Sequence, residues 1–313
     1  MKFNNSIKSI TNIYNKMSNF GKILLLVSLL LAIIVFFRNV MSLKPKEGFH
    51  QNDNFLFKKG NDVYDDFYSE IYDYLVFNNL KNDYEVGSII NTSNPKETSV
   101  ILDVGSGTGH HVASLASQNL NVMGIDISPS MIKKAKENYP QYNFQQGDVM
   151  DGTLIKYNSL THILCLYFTI YYFQDKRRFF DNCMDWLMPG GYLIVHLVDR
   201  DKFDPILPPG NPLYIVSPQK YAKERITKTK IHFNDFLYES NFNFDNNNDI
   251  ASFDEKFKFD DGKVRKQQQI LYMEDTEKIL TIAQQCGFIL QSKIDLLKCA
   301  YENQYLYVFT KPG

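Results

Sequence analysis

The sequence predicts an α/β protein built on a mostly parallel sheet, and three observations predict it. Apolar β-branched runs alternate with helix-spaced stripes from about residue 60 onward. The run SVILDVGSGTGHHVASLASQ sets a glycine loop between a buried strand and a helix. Two later strands end on acidic residues, Asp126 and Asp148. Strand–helix alternation implies a parallel sheet, because each crossover helix covers a face of it.

Composition narrows the class before any motif is read. The 313 residues are 44% hydrophobic and 22% charged, which is globular and fits one or two domains. The cysteines Cys165, Cys183, Cys286 and Cys299 form no C-x-x-C pair. A cysteine zinc site, a redox dithiol and a disulfide framework are thereby excluded, and no metal is expected. Residues 1–50 carry a charge of +6 and the rest −7. An acidic body repels phosphate backbones, so nucleic acid is excluded as a partner.

The N-terminal elements come first. Residues 1–19 form a basic tail, with Phe3, Ile7, Ile10, Tyr14 and Met17 at helical spacing; it reads either as an amphipathic helix or as a disordered segment. The run ILLLVSLLLAIIVFF, from Ile23 to Phe37 between Lys22 and Arg38, predicts a transmembrane helix over 20–38. A single-pass membrane location follows, with the membrane as partner. Charge bias places the tail in the cytosol and the body opposite, whereas a cytosolic body suits the cofactor argued below. Residues 39–61 read as a linker, and the body spans 62–313.

Within the body, Val63, Phe67, Ile71, Leu75 and Leu80 stripe a leading helix. Ser99–Val104 is a buried strand, Gly105-Ser106-Gly107-Thr108-Gly109 the loop, and His111–Gln118 a helix. A second strand ends at Asp126, 23 residues after Asp103. Ser128 caps the next helix, with Pro129 at its first position. Tyr142–Gln146 is a third strand, leading to Gly147-Asp148. Thr161–Phe168 is a fourth, followed by a helix over Asp175–Met188. Leu187-Met188-Pro189-Gly190-Gly191 turns into a fifth strand, YLIVHLV. A helix over 274–286 and strands Phe288–Leu296 and Gln304–Thr310 close the chain. Residues 199–273 exceed a minimal domain and read as a β-rich insertion or lid.

The loop's chemistry separates it from other glycine loops. A dinucleotide fingerprint needs G-x-G-x-x-G and a phosphate loop needs G-K-[ST]; here His110 follows Gly109. The sequence D-V-G-S-G-T-G, with Asp126, Asp148 and the L-x-P-G-G turn in series, resembles class I S-adenosylmethionine-dependent methyltransferases over residues 60–313. The resemblance implies a Rossmann-like fold of seven strands in the order 3-2-1-4-5-7-6, with S-adenosylmethionine as cofactor. It implies cofactor contacts at Asp103, Gly105, Ser106, Gly107, Thr108, Gly109, Asp126, Ile127, Met131, Asp148, Val149 and Leu166. Tyr72 or Tyr68 on the leading helix would close over the cofactor carboxylate.

Methyl transfer from a sulfonium needs alignment and dryness more than a catalytic group, and a base only where the acceptor proton must leave. His196 is the candidate base, with a hydrogen-bonded core histidine as the alternative reading. Tyr167, Tyr171, Tyr172, Glu255 and Arg265 are candidate substrate-pocket residues, with packing the favoured reading of the tyrosine cluster over an aromatic cage. The fourth strand lacks the [DN]-P-P-[FYW] and Pro-Cys motifs and the double-Glu hairpin, which argues against base, glutamine and protein-arginine acceptors. The expected activity is membrane-tethered methyl transfer to oxygen or nitrogen of a small-molecule or amphiphilic acceptor. A protein methyltransferase and a non-catalytic membrane-attached scaffold are the alternatives.

Overall fold

The computed structural model describes residues 17–42, 54–208 and 218–313. The chain divides into two compact units, Met1–His50 and Gln51–Gly313.

In the first unit, α1 spans Asn19–Ser42. Ser18 caps it by accepting the Gly21 N–H at 3.2 Å, and the Ser28 hydroxyl donates back to the Leu25 carbonyl at 2.9 Å. Among the described residues no helix is long and apolar enough to cross a membrane. The transmembrane reading of 20–38 is corrected on that finding, and the single-pass location and membrane partner go with it. What is short is the apolar part of this helix: the fifteen residues Ile23–Phe37, bracketed by Lys22 and Arg38, rise about 22 Å against a hydrocarbon core of about 30 Å. Most of the expected tail, 1–16, and part of the linker, 43–53, lie outside the described residues.

The second unit holds two sheets. The larger has seven strands: β2 (Val100–Val104), β3 (Asn121–Asp126), β4 (Asn143–Gln146), β5 (Leu160–Cys165), β6 (Leu187–Val198), β11 (Ile289–Asp295) and β12 (Gln304–Thr310). Their spatial order is β4-β3-β2-β5-β6-β12-β11. Numbered within this sheet alone, the order is the expected 3-2-1-4-5-7-6; the labels differ because one strand precedes the sheet and four are inserted before its closing pair. β12 alone runs antiparallel to both neighbours, β6 and β11.

The smaller sheet is the insertion. β7 (Lys228–His232), β8 (Phe236–Asp245), β9 (Ile250–Phe259) and β10 (Val264–Tyr272) form an antiparallel meander, and β1 (Phe55–Lys59) adds in parallel at the β10 edge. β1 lies inside the stretch expected to be linker. Its FLFKK pattern is short and flanked by charge, and only pairing with β10 orders it.

Helices α2 (Asp66–Val76) and α3 (Asn79–Ser93) precede β2; α4 (His110–Ala116), α5 (Pro129–Asn138), α6 (Lys176–Trp186) and α7 (Thr276–Gln285) are the crossovers. Ser128 caps α5 through the Met131 N–H, with Pro129 at its first position. The core covers both faces of the large sheet. One face packs α6 and α7 and contains Trp186, Phe179 and Phe180 without exposure. The other packs α3, α4 and α5 around Ile101, Val112, Leu115 and Ala135.

Candidate active site

A cavity of about 600 Å³ opens where the parallel strands end. Residues just past β2, β3, β4 and β5 form its floor: Gly105–Thr108, Asp126 and Ile127, Asp148 and Val149, and Leu166–Thr169. Parallel sheets place ligand sites at this end because the strand-to-helix turns converge there.

The glycine loop fits that position on steric grounds. Gly105, Gly107 and Gly109 all take positive φ, from +52° to +93°. A Cβ on Gly105 would lie 2.6 Å from Thr169 Cγ2, and one on Gly109 2.7 Å from Phe144 Cζ. Gly107 instead faces open space toward Tyr72, leaving bare backbone at the cavity.

Asp126 is tied to this loop. Its Oδ2 accepts the Gly107 N–H at 3.0 Å and its Oδ1 the Ser128 N–H at 2.9 Å. Burial raises its pKa, and these two N–H donors pull it back. Asp103 is 2% exposed yet lines the cavity. Burial pushes its carboxyl up to about 7; His111 opposes this, while Asp126 and Glu85 add to it. Asp148, at the surface end, accepts the Met150 N–H at 2.9 Å.

A tyrosine wall closes the opposite side. Tyr64, Tyr68 and Tyr72 recur at four-residue spacing into α2, with ring centroids 5.6–6.4 Å apart, and Tyr172 lies 6.1 Å from Tyr64. The Tyr64 hydroxyl reaches Tyr172 at 2.7 Å and the Gln269 side-chain oxygen at 3.1 Å; Tyr172 also donates to that oxygen. The Gln269 amide donates to Glu255 at 2.9 Å. Asp73, next to Tyr72, accepts from Thr108 Oγ1 at 2.6 Å and meets His110 Nε2 at 2.9 Å. Helix α2 is thereby fastened to the glycine loop.

A buried charged cluster lies at the base. Lys81, 1% exposed, pairs with fully buried Glu85, which also meets His111 Nε2 at 2.9 Å. Burial alone would raise Glu85, but Lys81 and then His111 outweigh it and hold the carboxyl at about 2. The Lys81 ammonium sits 3.6 Å over the Tyr167 ring.

The structure brings most of the expected site residues together. Asp103, Gly105–Thr108, Asp126, Ile127, Met131, Asp148, Val149, Leu166, Tyr72, Tyr167 and Tyr172 line one cavity. Five do not line it. Gly109 packs under the loop against Phe144. Tyr171 turns into the core, where its oxygen accepts the Val198 N–H at 2.8 Å. Glu255 and Arg265 stand behind the tyrosine wall, Arg265 gripping Asp65 at 2.8 and 3.0 Å. His196 is fully buried, its Nδ1 donating to the Tyr167 carbonyl and its Nε2 lying 3.1 Å from Gln304 Oε1. Burial, then the Lys81 charge, pushes its pKa down to about 4. With both nitrogens engaged it holds Tyr167, whose φ is +50°, and has no exposed face from which to act as a base.

The sequence gives no sign of Asp73, Lys81, Glu85 and Gln269. The regular Tyr64–Tyr68–Tyr72 spacing was a signal for the wall. Asp73 adjoins it but has no motif of its own.

Comparison with known proteins supplies the chemistry. Residues 101–191 match the family described as methyltransferase domain. A curated relative is the dTDP-4-amino-2,3,4,6-tetradeoxy-D-glucose N,N-dimethyltransferase of Saccharopolyspora spinosa, 32% identical over 36% of this chain and 45% of its own length. The chain thus spans less than half of that relative. A solved S-adenosylmethionine-dependent methyltransferase from Clostridium acetobutylicum is 16% identical and superposes with a TM-score of 0.58, covering 79% of this chain and 97% of the other. The SAM-bound amino pentose methyltransferase of Micromonospora echinaspora is 17% identical, with a TM-score of 0.53, covering 74% and 90%. The fold is the one that these solved methyltransferases share, and the match to the methyltransferase-domain family is confined to residues 101–191.

Proposed function

We propose that this chain, built on a methyltransferase domain, transfers the methyl group of S-adenosylmethionine to nitrogen or oxygen of a small-molecule acceptor. The single observation that carries the reading is the meeting of Asp103, the open face of Gly107, Asp126 and Asp148 in one 600 Å³ cavity. A concave space of that size suits a cofactor with a small acceptor better than a protein surface. The membrane-based argument for an amphiphilic acceptor falls with the anchor.

The residues fit the cofactor. Asp126, held by the Gly107 and Ser128 N–H groups, presents a fixed two-oxygen acceptor to a pair of ribose hydroxyls. Asp103 offers a buried carboxyl to the amino group, and Ile127, Met131 and Val149 offer apolar contact to a base. When bound, the cofactor supplies an electrophilic methyl on a positively charged sulfur. The protein's part is alignment, worth roughly 7–11 kcal/mol when well oriented, and exclusion of water by the tyrosine wall. Tyr167, braced from behind by His196 and covered by Lys81, keeps the base of the cavity fixed.

Calorimetric titration with S-adenosylhomocysteine tests this. Micromolar binding is expected, weakened tenfold or more, about 1.4 kcal/mol, by Asp126→Ala. A folded protein that binds no S-adenosylhomocysteine overturns the reading.

A further inference from the structure

Glu255 is a carboxyl group that the methyl-transfer reading leaves unused; burial raises its pKa, and its hydrogen-bond donors Gln267, Tyr238, Tyr68 and Gln269 pull it back. It is 2% exposed on β9, in the inserted sheet. Four neutral groups donate to it: the hydroxyls of Tyr68 and Tyr238, at 3.0 and 2.7 Å, and the amides of Gln267 and Gln269, at 2.7 and 2.9 Å. Four donors on two oxygens suit the ionised form. No ion pair joins it among the described residues; Arg265 on the adjacent strand turns to Asp65 and Val63 instead.

That carboxylate sets the polarity of the wall in front of it. Tyr68 points its hydroxyl hydrogen at Glu255, and Tyr172 points its own at Gln269, whose amide donates to Glu255. Tyr64 spends its hydrogen on the same pair. The hydroxyl hydrogens of Tyr64, Tyr68 and Tyr172 are spent within this network, which leaves rings and oxygen lone pairs for the cavity. Such a surface with a buried anion behind it attracts a cation.

We propose that the wall of Tyr64, Tyr68, Tyr72 and Tyr172 binds the ammonium group of the acceptor, with Glu255 as buried counter-charge, and that the acceptor is an alkyl amine bearing no phosphate. The amine docks as its ammonium and gives one proton to water at the open mouth of the cavity; the freed lone pair then takes the methyl as the sulfur leaves neutral, and the new positive charge stays on nitrogen against the wall. The proposal rests on the methyl-transfer reading of the same cavity. The rest of the lining agrees with it. Asp73, Asp103, Asp126, Asp148, Asp175 and Asp204 line the cavity, while its described lysines and arginines are Lys81 and Arg178. Lys81 is neutralised by Glu85, and Arg178 lies exposed on α6. A nucleotide-linked or phosphorylated acceptor finds no cationic clamp there.

The test titrates choline and its neutral isostere 3,3-dimethylbutan-1-ol into the full chain saturated with S-adenosylhomocysteine. Choline is expected to bind at least tenfold more tightly than the isostere, and thymidine diphosphate not at all. Glu255→Gln is expected to abolish the choline preference. If circular dichroism finds that variant unfolded, Tyr172→Leu carries the same comparison. Equal affinities for the pair, a preference that survives in the variant, or binding of thymidine diphosphate overturns the proposal. So does a Glu255→Gln variant that loses affinity for S-adenosylmethionine alone, because the counter-charge then serves the sulfonium. Wild-type protein that fails to bind S-adenosylhomocysteine overturns the underlying methyl-transfer reading as well. Binding of S-adenosylhomocysteine without a choline preference overturns this proposal only.

Discussion

Gly105 and Thr169 are packed without room for a methyl group between them: a Cβ on Gly105 would stand 2.6 Å from Thr169 Cγ2 and 2.8 Å from its Oγ1. The contact joins the turn after β2 to the turn after β5. It fixes the separation of two segments that floor the cavity, so loop shape and cavity shape are one constraint.

Gly105→Ala therefore meets two penalties, the clash and a φ of +66° that a side chain resists. Such strain costs about 1–3 kcal/mol. Urea denaturation is expected to fall by that amount, and S-adenosylhomocysteine affinity to fall with it. Adding Thr169→Ala removes the clashing atoms but not the backbone strain, so the double variant should recover only part of the loss.

The Lys81–Glu85 pair gives a second expectation. Both side chains are buried, so removing one leaves an uncompensated charge. Lys81→Met is expected to cost about 3–5 kcal/mol, and Lys81→Met with Glu85→Leu much less. The pair also shapes acid unfolding. Glu85 titrates at about 2 when folded, so its stabilisation is complete above the ordinary 4.5 and is lost as pH falls from there toward 2. His196, at about 4 when folded, acts earlier: the unfolded chain takes up its proton below about 6.5, and stability drains between there and 4. Each amounts to about 3 kcal/mol at 1.36 kcal/mol per pH unit. Asp103, raised to about 7 when folded, gains stability over the same upper range, so the His196 effect is read as a difference: the stability cost of His196→Gln, measured in urea, should shrink as pH falls from 6.5 to 4.

The glycine-loop side of the cavity was legible because its signals are local. Asp103, the glycines, Asp126 and Asp148 sit at fixed offsets from strand ends, and a strand-to-helix turn leaves few alternatives for their direction. The side behind the tyrosine wall was not, because it depends on register between distant strands. Glu255 pairs opposite Gln267, and that pairing, invisible in sequence, puts Glu255 behind Tyr68 instead of in the cavity. Strand β1 was read as linker for the same reason, since it is ordered only by β10. The apolar run Ile23–Phe37 misled in another way: its composition suited a membrane, but its length did not.

Asp103 predicts a pH dependence of cofactor affinity. Its carboxyl stands at about 7 through burial, so near neutrality about half of it is protonated in the free protein. A cationic amino group placed beside it favours the ionised form, and binding must then expel a proton. S-adenosylhomocysteine affinity should rise as pH increases toward 7 and level off above it. Calorimetry in buffers of differing ionisation enthalpy would detect the released proton at pH 6. Asp103→Asn should bind more weakly with no such slope.

Tyr171 and Tyr172 are neighbours in sequence with opposite fates, and a matched pair of variants separates them. The Tyr171 oxygen accepts the buried Val198 N–H at 2.8 Å, outside the cavity. Tyr171→Phe strands that N–H and should cost about 1–3 kcal/mol of stability, with methyl transfer per folded molecule unchanged. Tyr172→Phe breaks the hydroxyl chain to Gln269 at the cavity surface. Its cost should appear chiefly as a raised KM for the acceptor, with the urea midpoint shifted less than in Tyr171→Phe. Equal stability losses and unchanged kinetics in both would mean that the Tyr172 hydroxyl is packing alone.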